Sequence, residues 1–109
     1  MHELAITQSI VDAVTDQTAG ATVAAVHVRV GRLSGVLPDA MRFCFEVVTD
    51  GTVLEGARLE IEQPDGCGHC RSCGDDIPLA DLILLCPCGS ADVQVLSGRE
   101  LSVTSVEVA

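Results

Sequence analysis

The sequence predicts an α+β fold in which two helices lie on a small three-stranded sheet and a zinc-ribbon-like domain is inserted before the last strand. Three patterns support this prediction. The first half of the chain alternates between helical and strand periodicity, a cluster of cysteines follows, and a valine-rich strand pattern comes after the cysteines. Because the cysteine segment is too small to need that last strand, we expect the strand to return and pair with the earlier ones.

The first helix is predicted over residues 3–19, where apolar residues recur at helical spacing before Gly20. Its expected buried face consists of Ile6, Ile10, Ala13 and Val14. Residues 22–32 alternate between apolar and polar side chains, which indicates a half-buried strand. The inward side chains of this strand are expected to be Val26, Val28 and Val30.

A second helix is predicted to begin at Pro38, because proline suits the first turn of a helix. Its apolar stripe is Met41, Phe45 and Val48, and the neighbouring Cys44 is expected to lie in the core. A second strand is predicted over residues 57–62, with Leu59 and Ile61 facing inward.

The turn at residues 64–66 is the candidate domain boundary. The leucine-rich segment between the two cysteine clusters predicts a short hairpin, and further strands are predicted over residues 93–96 and 101–108. The expected domains are therefore residues 1–64, completed by the strand within residues 98–109, and an inserted domain of residues 65–97.

The charge of the chain argues against one class of partner. Six basic residues stand against sixteen acidic ones, for a net charge of −10, and aromatic residues make up only 2 %. Such a surface repels phosphate backbones, so no nucleic-acid partner is expected. No apolar run reaches the roughly 18 residues of a membrane span, and the start of the chain does not resemble a secretory signal. We therefore expect a cytoplasmic protein without membrane contact, whose clustered cysteines bind metal rather than form disulfides.

The clustered cysteines predict a zinc site. Cys70 and Cys73 are separated by two residues, a spacing that lets both sulfurs reach one ion. Cys86 and Cys88 have one residue between them, and side chains at that spacing in an extended chain point the same way. Four thiolates in a tetrahedron favour zinc, and we expect a structural role because no acid–base partner stands beside them. The sequence leaves Cys67 open as a substitute for one of these four ligands, and His69 as a weaker one.

The start of the chain carries a second candidate metal site. Met1 offers an α-amine, His2 an imidazole, and the peptide between them an amide nitrogen. These three donors suit planar coordination of nickel(II) or copper(II), and Glu3 could add an oxygen or hold the imidazole. On the residue chemistry alone, an exposed histidine with no ligand role is the simpler interpretation.

The order and spacing of several motifs resemble the HypA/HybF family, the nickel metallochaperones of hydrogenase maturation. The resemblance covers essentially the whole chain, and the cysteine motifs are its most specific part. In chain order the motifs include Met1-His2-Glu3-Leu4, Gly31-Arg32-Leu33-Ser34, Phe43-Cys44-Phe45-Glu46, Leu59-Glu60-Ile61-Glu62, Cys70-Arg71-Ser72-Cys73-Gly74, Cys86-Pro87-Cys88-Gly89-Ser90 and Gly98-Arg99-Glu100-Leu101.

The resemblance implies that His2, the Met1 amine and nearby amides bind nickel, with help from Glu3. It implies a non-enzymatic carrier that delivers nickel to the large subunit of a nickel–iron hydrogenase, alongside a maturation GTPase. The oligomeric state stays open, and a homodimer is one of the alternatives. The family commonly has two residues between the second pair of cysteines and lacks Cys67, so the choice between Cys88 and Cys67 as the fourth zinc ligand also stays open.

Two other classes compete with the carrier. A zinc-ribbon module for protein interaction or nucleic-acid binding would place basic or aromatic residues near the cysteines, yet Arg71 is the one basic residue between 66 and 90. A zinc or redox enzyme would need an open coordination position or a reactive cysteine pair on a βαβ unit, and neither pattern occurs in the sequence.

Overall fold

The computed structural model describes residues 2–109. Its elements alternate between helix and strand in the first half and are all strands in the second. They are α1 (Glu3–Gln17), β1 (Val23–Val30), α2 (Pro38–Thr49), β2 (Arg58–Glu62), β3 (Gly66–Cys70), β4 (Asp76–Leu79), β5 (Val93–Ser97) and β6 (Leu101–Val108). No helix among residues 2–109 is both long enough and apolar enough to cross a membrane.

The first sheet has the order β2-β1-β6, with β1 parallel to β2 and antiparallel to β6. The last strand therefore returns to the first half of the chain, as the sequence predicts. Both helices pack on one face of this sheet, around a core that contains Val26, Val28, Val30, Met41, Phe45 and Leu54. The predicted α+β fold, with two helices on a three-stranded sheet, is confirmed.

The buried face of α1 differs from the prediction. Its fully buried side chains are Thr7, Val11 and Val14, whereas Ile6 and Ile10 are half-buried and Ala13 is exposed. The buried Thr7 hydroxyl donates a hydrogen bond of 2.6 Å to the Glu3 carbonyl, which explains how a polar residue can occupy the core side of the helix. Ile6 and Ile10 pack only partly against this core, because they also line a groove beside β6.

The second sheet has the order β4-β3-β5, and all of its pairs are antiparallel. The hairpin predicted between the two cysteine clusters is wrong. The hairpin instead forms earlier in the chain, between β3 and β4, and encloses the Cys70–Cys73 turn. Residues 80–85 form no strand. Leu82 and Ile83 are exposed, and the small core of this sheet is formed by other side chains.

A close backbone crossing joins the two sheets. The Leu33 amide N–H donates to the Gly98 carbonyl at 2.6 Å, and the Arg32 amide donates to the Pro64 carbonyl at 3.0 Å. Gly31 lies so near this crossing that a Cβ atom there would sit 2.0 Å from the Gly98 oxygen. The Leu33 side chain, which is 5 % exposed, packs into the core of the second sheet rather than the first. The polypeptide thus ties the two sheets together at several points.

Candidate metal sites

The first cysteine turn is held by its own backbone. Cys70 ends β3, its amide donates to the Asp75 carbonyl at 2.9 Å, and its carbonyl accepts from the Gly74 amide at 2.8 Å. Gly74 has a φ of +83°, a conformation that a residue with a side chain adopts only under strain. This tight turn brings the Cys73 side chain back toward Cys70.

The second cysteine turn is closed in a similar way. The Cys86 amide donates to the Ser90 carbonyl at 2.9 Å, and the Gly89 amide donates to the Cys86 carbonyl at 2.8 Å. Gly89 also has a left-handed φ of +95°. The spacer of one residue is therefore sufficient, because the turn itself directs both Cys86 and Cys88 to the same side.

The two turns bring four sulfurs together. The Sγ atoms of Cys70, Cys73, Cys86 and Cys88 all lie within 4.8 Å of one another. The Cys70–Cys88 and Cys73–Cys86 sulfur pairs are each 3.7 Å apart, far longer than a disulfide bond of about 2.05 Å. A tetrahedron with zinc–sulfur bonds of about 2.3 Å has edges of roughly 3.8 Å. The arrangement therefore suits a metal such as zinc, and Cys70 and Cys86 are buried while Cys73 and Cys88 are exposed.

The thiols perturb one another's ionisation. Hydrogen bonds from the Cys73 and Ser72 amides favour the Cys70 thiolate and lower its pKa to about 6, despite its burial. The Cys88 amide also favours the thiolate of Cys86, but burial and the three neighbouring thiols outweigh it and raise the pKa of Cys86 to about 12. Four thiols at this distance cannot all ionise without a cation, so metal binding must displace protons.

Hydrogen bonds outside the sulfurs hold the two turns to each other. The Ser72 and Ser90 hydroxyls lie 2.8 Å apart, and Arg71 donates to Asp92 at 2.8 Å. Sequence reasoning missed these four residues. The serines are separated by 18 positions and belong to no periodic pattern, so spacing offered no signal for the pair.

Cys67 and His69 lie outside the group of four sulfurs. Cys67 is three positions before Cys70 on the extended strand β3, so the two side chains leave opposite faces of the sheet. His69 shares the face of Cys67, and its Nδ1 lies 2.7 Å from the Asp76 carboxylate. The geometry therefore brings together the four favoured cysteines and not their two substitutes.

The structure places His2 and Glu3 at the start of α1, whereas Met1 lies outside the described residues. His2 is exposed and occupies the N-cap position of the helix. The Glu3 carboxylate Oε2 accepts a hydrogen bond of 3.1 Å from the Leu37 amide, at the N-cap of α2. That bond, followed by one from its own amide, lowers the pKa of Glu3 and keeps it charged. Glu3 therefore fastens the start of the chain to α2.

A shallow groove of about 510 Å³ begins beside His2. Its walls are formed by residues near the start of α1 and by the facing side of α2, namely Glu3, Leu4, Ala5, Ala40, Phe43 and Cys44. The expectation that Cys44 lies in the core is wrong, because its side chain is only half-buried and lines this groove. The α2 stripe at Met41 and Phe45 fills the core, and Cys44 faces α1 instead.

Comparison with known proteins decides the family. The model of the family described as "Hydrogenase/urease nickel incorporation, metallochaperone, hypA" matches residues 1–108. The chain belongs to this family. Nickel handling for hydrogenase maturation is therefore the family's function, and a metallochaperone is consistent with the expected absence of enzymatic activity.

Relatives agree with this assignment, and a solved structure shares the fold. The chain is 47 % identical to the hydrogenase maturation factor HypA of Nostoc punctiforme, over 99 % of this chain and 96 % of that protein. It is 49 % identical to HypA of Geobacter metallireducens, over 99 % of both chains. The solution structure of the nickel metallochaperone HypA from Helicobacter pylori matches with a TM-score of 0.67 at 20 % identity, covering 99 % of this chain and 97 % of that one. This last likeness supports the fold.

Proposed function

We propose that this chain carries nickel(II) at its start, bound by the Met1 amine, the intervening amide nitrogen and the His2 imidazole. His2 is exposed at the first turn of α1, where a metal ion can reach it from solvent. Glu3 assists by holding that turn against α2 through Leu37. The hydrogen bond from Leu37 occupies one oxygen of the Glu3 carboxylate. The other oxygen can accept a hydrogen bond from the His2 imidazole or coordinate the nickel ion.

Three nitrogen donors at adjacent positions close two chelate rings in one plane, which suits nickel(II) better than zinc(II). The α-amine must lose its proton to bind, and its reference pKa is about 7.7–8.0. Nickel affinity therefore rises with pH through that range. The positive end of the α1 dipole opposes a cation by about 0.3–1 kcal/mol, and the negative charge of Glu3 offsets part of this.

The four-cysteine cluster holds a structural zinc ion in the same proposal, with Cys70, Cys73, Cys86 and Cys88 as its ligands. The sulfur spacing of 3.7 Å, the closed turns and the absence of Cys67 from the cluster support this ligand set. When bound, zinc would replace the displaced protons and remove the repulsion among the thiolates. The module of residues 65–97 has a core of few buried side chains, so the ion would supply much of its stability.

We assign residues 1–64, completed by residues 98–109, to nickel binding and residues 65–97 to the zinc module. The nickel would pass to the large subunit of a nickel–iron hydrogenase in the cytoplasm, with a maturation GTPase as the second partner. A carrier needs no catalytic group, and its work is to bind, protect and release one ion. The family match along residues 1–108 is the observation that carries this proposal.

Transfer of nickel to an acceptor tests the proposal. Untagged protein with its native start is loaded with nickel and mixed with a purified, nickel-free hydrogenase large-subunit precursor and the maturation GTPase. We expect nickel to appear in the precursor with the wild-type chain and not with His2→Ala at the same concentration. A His27→Gln variant serves as the matched control, because His27 lies on the sheet and not at the start of the chain. Equal transfer by His2→Ala would overturn the proposed site.

A further inference from the structure

The outer face of β3, opposite the side that carries Cys70, presents Cys67 and His69. Gly68 and Cys70 alternate with them along the strand and are buried, whereas Cys67 and His69 are only half-buried. Cys67 belongs neither to the group of four sulfurs nor to the core of this sheet, and it forms no disulfide within residues 2–109. A free cysteine usually behaves as a small buried apolar residue, so packing does not account for Cys67 on this face.

The ring of His69 is oriented by a carboxylate on the neighbouring strand. His69 lies directly opposite Asp76 in the antiparallel pair of β3 and β4, and its Nδ1 is 2.7 Å from the Asp76 carboxylate. Because an ionised carboxylate only accepts hydrogen bonds, Nδ1 carries the proton and donates it. In the neutral ring, Nε2 then keeps its lone pair for another partner. Histidines that bind metals commonly donate their second ring N–H to a carboxylate in this way.

Cys67 and His69 have the spacing of a chelating pair. Residues two positions apart on a strand project from the same face, with their Cα atoms about 6.6 Å apart. A tetrahedral ion with a sulfur at about 2.3 Å and a nitrogen at about 2.0–2.1 Å needs these two atoms roughly 3.6 Å apart. The His69 ring is long enough to span most of the distance between the two positions. Rotation of the Cys67 side chain therefore brings both donors to one ion without moving the strand.

The two donors and their surroundings favour a zinc ion. Thiolate sulfur suits zinc(II), and so does imidazole nitrogen, whereas magnesium and calcium prefer oxygen ligands. Asp75 and Asp76 lie beside His69, at the turn that leads into β4, and both are exposed. Their negative charge attracts a cation to this face of the sheet.

We propose that Cys67 and His69 bind a second zinc(II) ion on the outer face of β3, with Asp76 as the residue that positions His69. The chain supplies two donors, so two of the four tetrahedral positions are left to water. An ion held in this way is exchangeable, in contrast to one enclosed by four thiolates. The module of residues 65–97 would then hold one permanent and one exchangeable ion, on opposite faces of the same strand.

Zinc titration of the full-length chain, with its four-cysteine cluster already filled, tests the proposal. A His2→Ala parent is used, so that the start of the chain does not compete for the added ion. We expect this parent to bind a second equivalent of zinc in competition with a fluorescent indicator. Cys67→Ser and His69→Gln should each weaken the second site at least tenfold. Cys44→Ser is the matched control, because Cys44 is also a half-buried cysteine outside the cluster and should leave the second site unchanged.

Cobalt(II) added in place of the second zinc gives an optical signal of thiolate ligation. Charge-transfer absorption should appear in the parent and in the Cys44→Ser control and disappear in Cys67→Ser, while each chain keeps the zinc of its cluster. Asp76→Ala should weaken the second site by about tenfold and still show this absorption at saturating cobalt, because Asp76 orients His69 and does not replace the thiolate.

Zinc content and circular dichroism show whether each variant keeps its fold. If Cys67→Ser does not, His69→Gln provides the second test, since the His69 side chain is 38 % exposed. The proposal would be overturned by the absence of a second equivalent in the parent, by equal affinity in Cys67→Ser and Cys44→Ser, or by cobalt absorption that is matched by release of zinc from the cluster.

Discussion

Replacing Leu33 with alanine should release zinc from a site that Leu33 does not ligate. Leu33 is 5 % exposed and packs in a small core with Cys70, Ile77, Leu79, Cys86 and Val93. Buried Leu→Ala changes cost about 2–5 kcal/mol, and a small core that can partly collapse falls in the lower part of this range. We therefore expect a loss of about 2–3 kcal/mol.

That loss should appear as weaker zinc binding, because folding of the small module and metal binding are linked. At about 1.4 kcal/mol for each factor of ten, zinc affinity should fall roughly 30- to 140-fold. Competition with a chromogenic chelator measures this directly. Leu82→Ala is the matched control, since Leu82 is 59 % exposed and should change zinc affinity by less than about twofold. If Leu33→Ala kept zinc as tightly as the control, the packing argument and the link between the two sheets would both be refuted.

Three further predictions concern single side chains. Cys88→Ser should release zinc to a chelator, whereas Cys67→Ser should retain it, and the reverse order would reassign the fourth ligand. Gly74→Ala should weaken zinc binding by about 1–2 kcal/mol, because alanine is strained at a φ of +83°; an unchanged chelator titration would contradict this. The hydrogen bond from His27 lowers the pKa of Glu107, so its contribution to stability is complete above the ordinary carboxyl pKa of 4.5 and is lost as pH falls through the lowered value. The difference in thermal unfolding midpoint between wild type and Glu107→Gln should therefore shrink as pH falls below 4.5, and a constant difference would show that the pair does not titrate.

The main elements of the fold could be predicted because the burial pattern repeats with the period of each element. Val26, Val28 and Val30 alternate along β1 and are all buried, and Met41 and Phe45 mark the buried stripe of α2. The return of β6 could be inferred because the cysteine segment is too small to need a further strand. The hairpin predicted between the cysteine clusters was wrong because hydropathy does not show which apolar side chains are buried, and Leu82 and Ile83 are exposed.

The candidate zinc site could be predicted as a cluster, because cysteine spacing restricts which sulfurs can meet. The choice against Cys67 required the direction of β3, which the spacing of cysteines does not give. The role of Leu33 could not be predicted either, because it depends on a crossing of distant segments at Gly98 and Pro64. The nickel site at the start of the chain could be predicted only from the resemblance to the family. A single exposed histidine does not by itself indicate a metal ligand.

Nickel titration of untagged, zinc-loaded protein at about pH 8 tests whether the chain carries its ion at its first residues. We expect one nickel site in the wild type and in the His27→Gln control, with affinity at least a hundredfold weaker in His2→Ala and unchanged zinc content in all three. Nickel binding of equal strength by His2→Ala would contradict the claim that the chain carries its ion at the first residues.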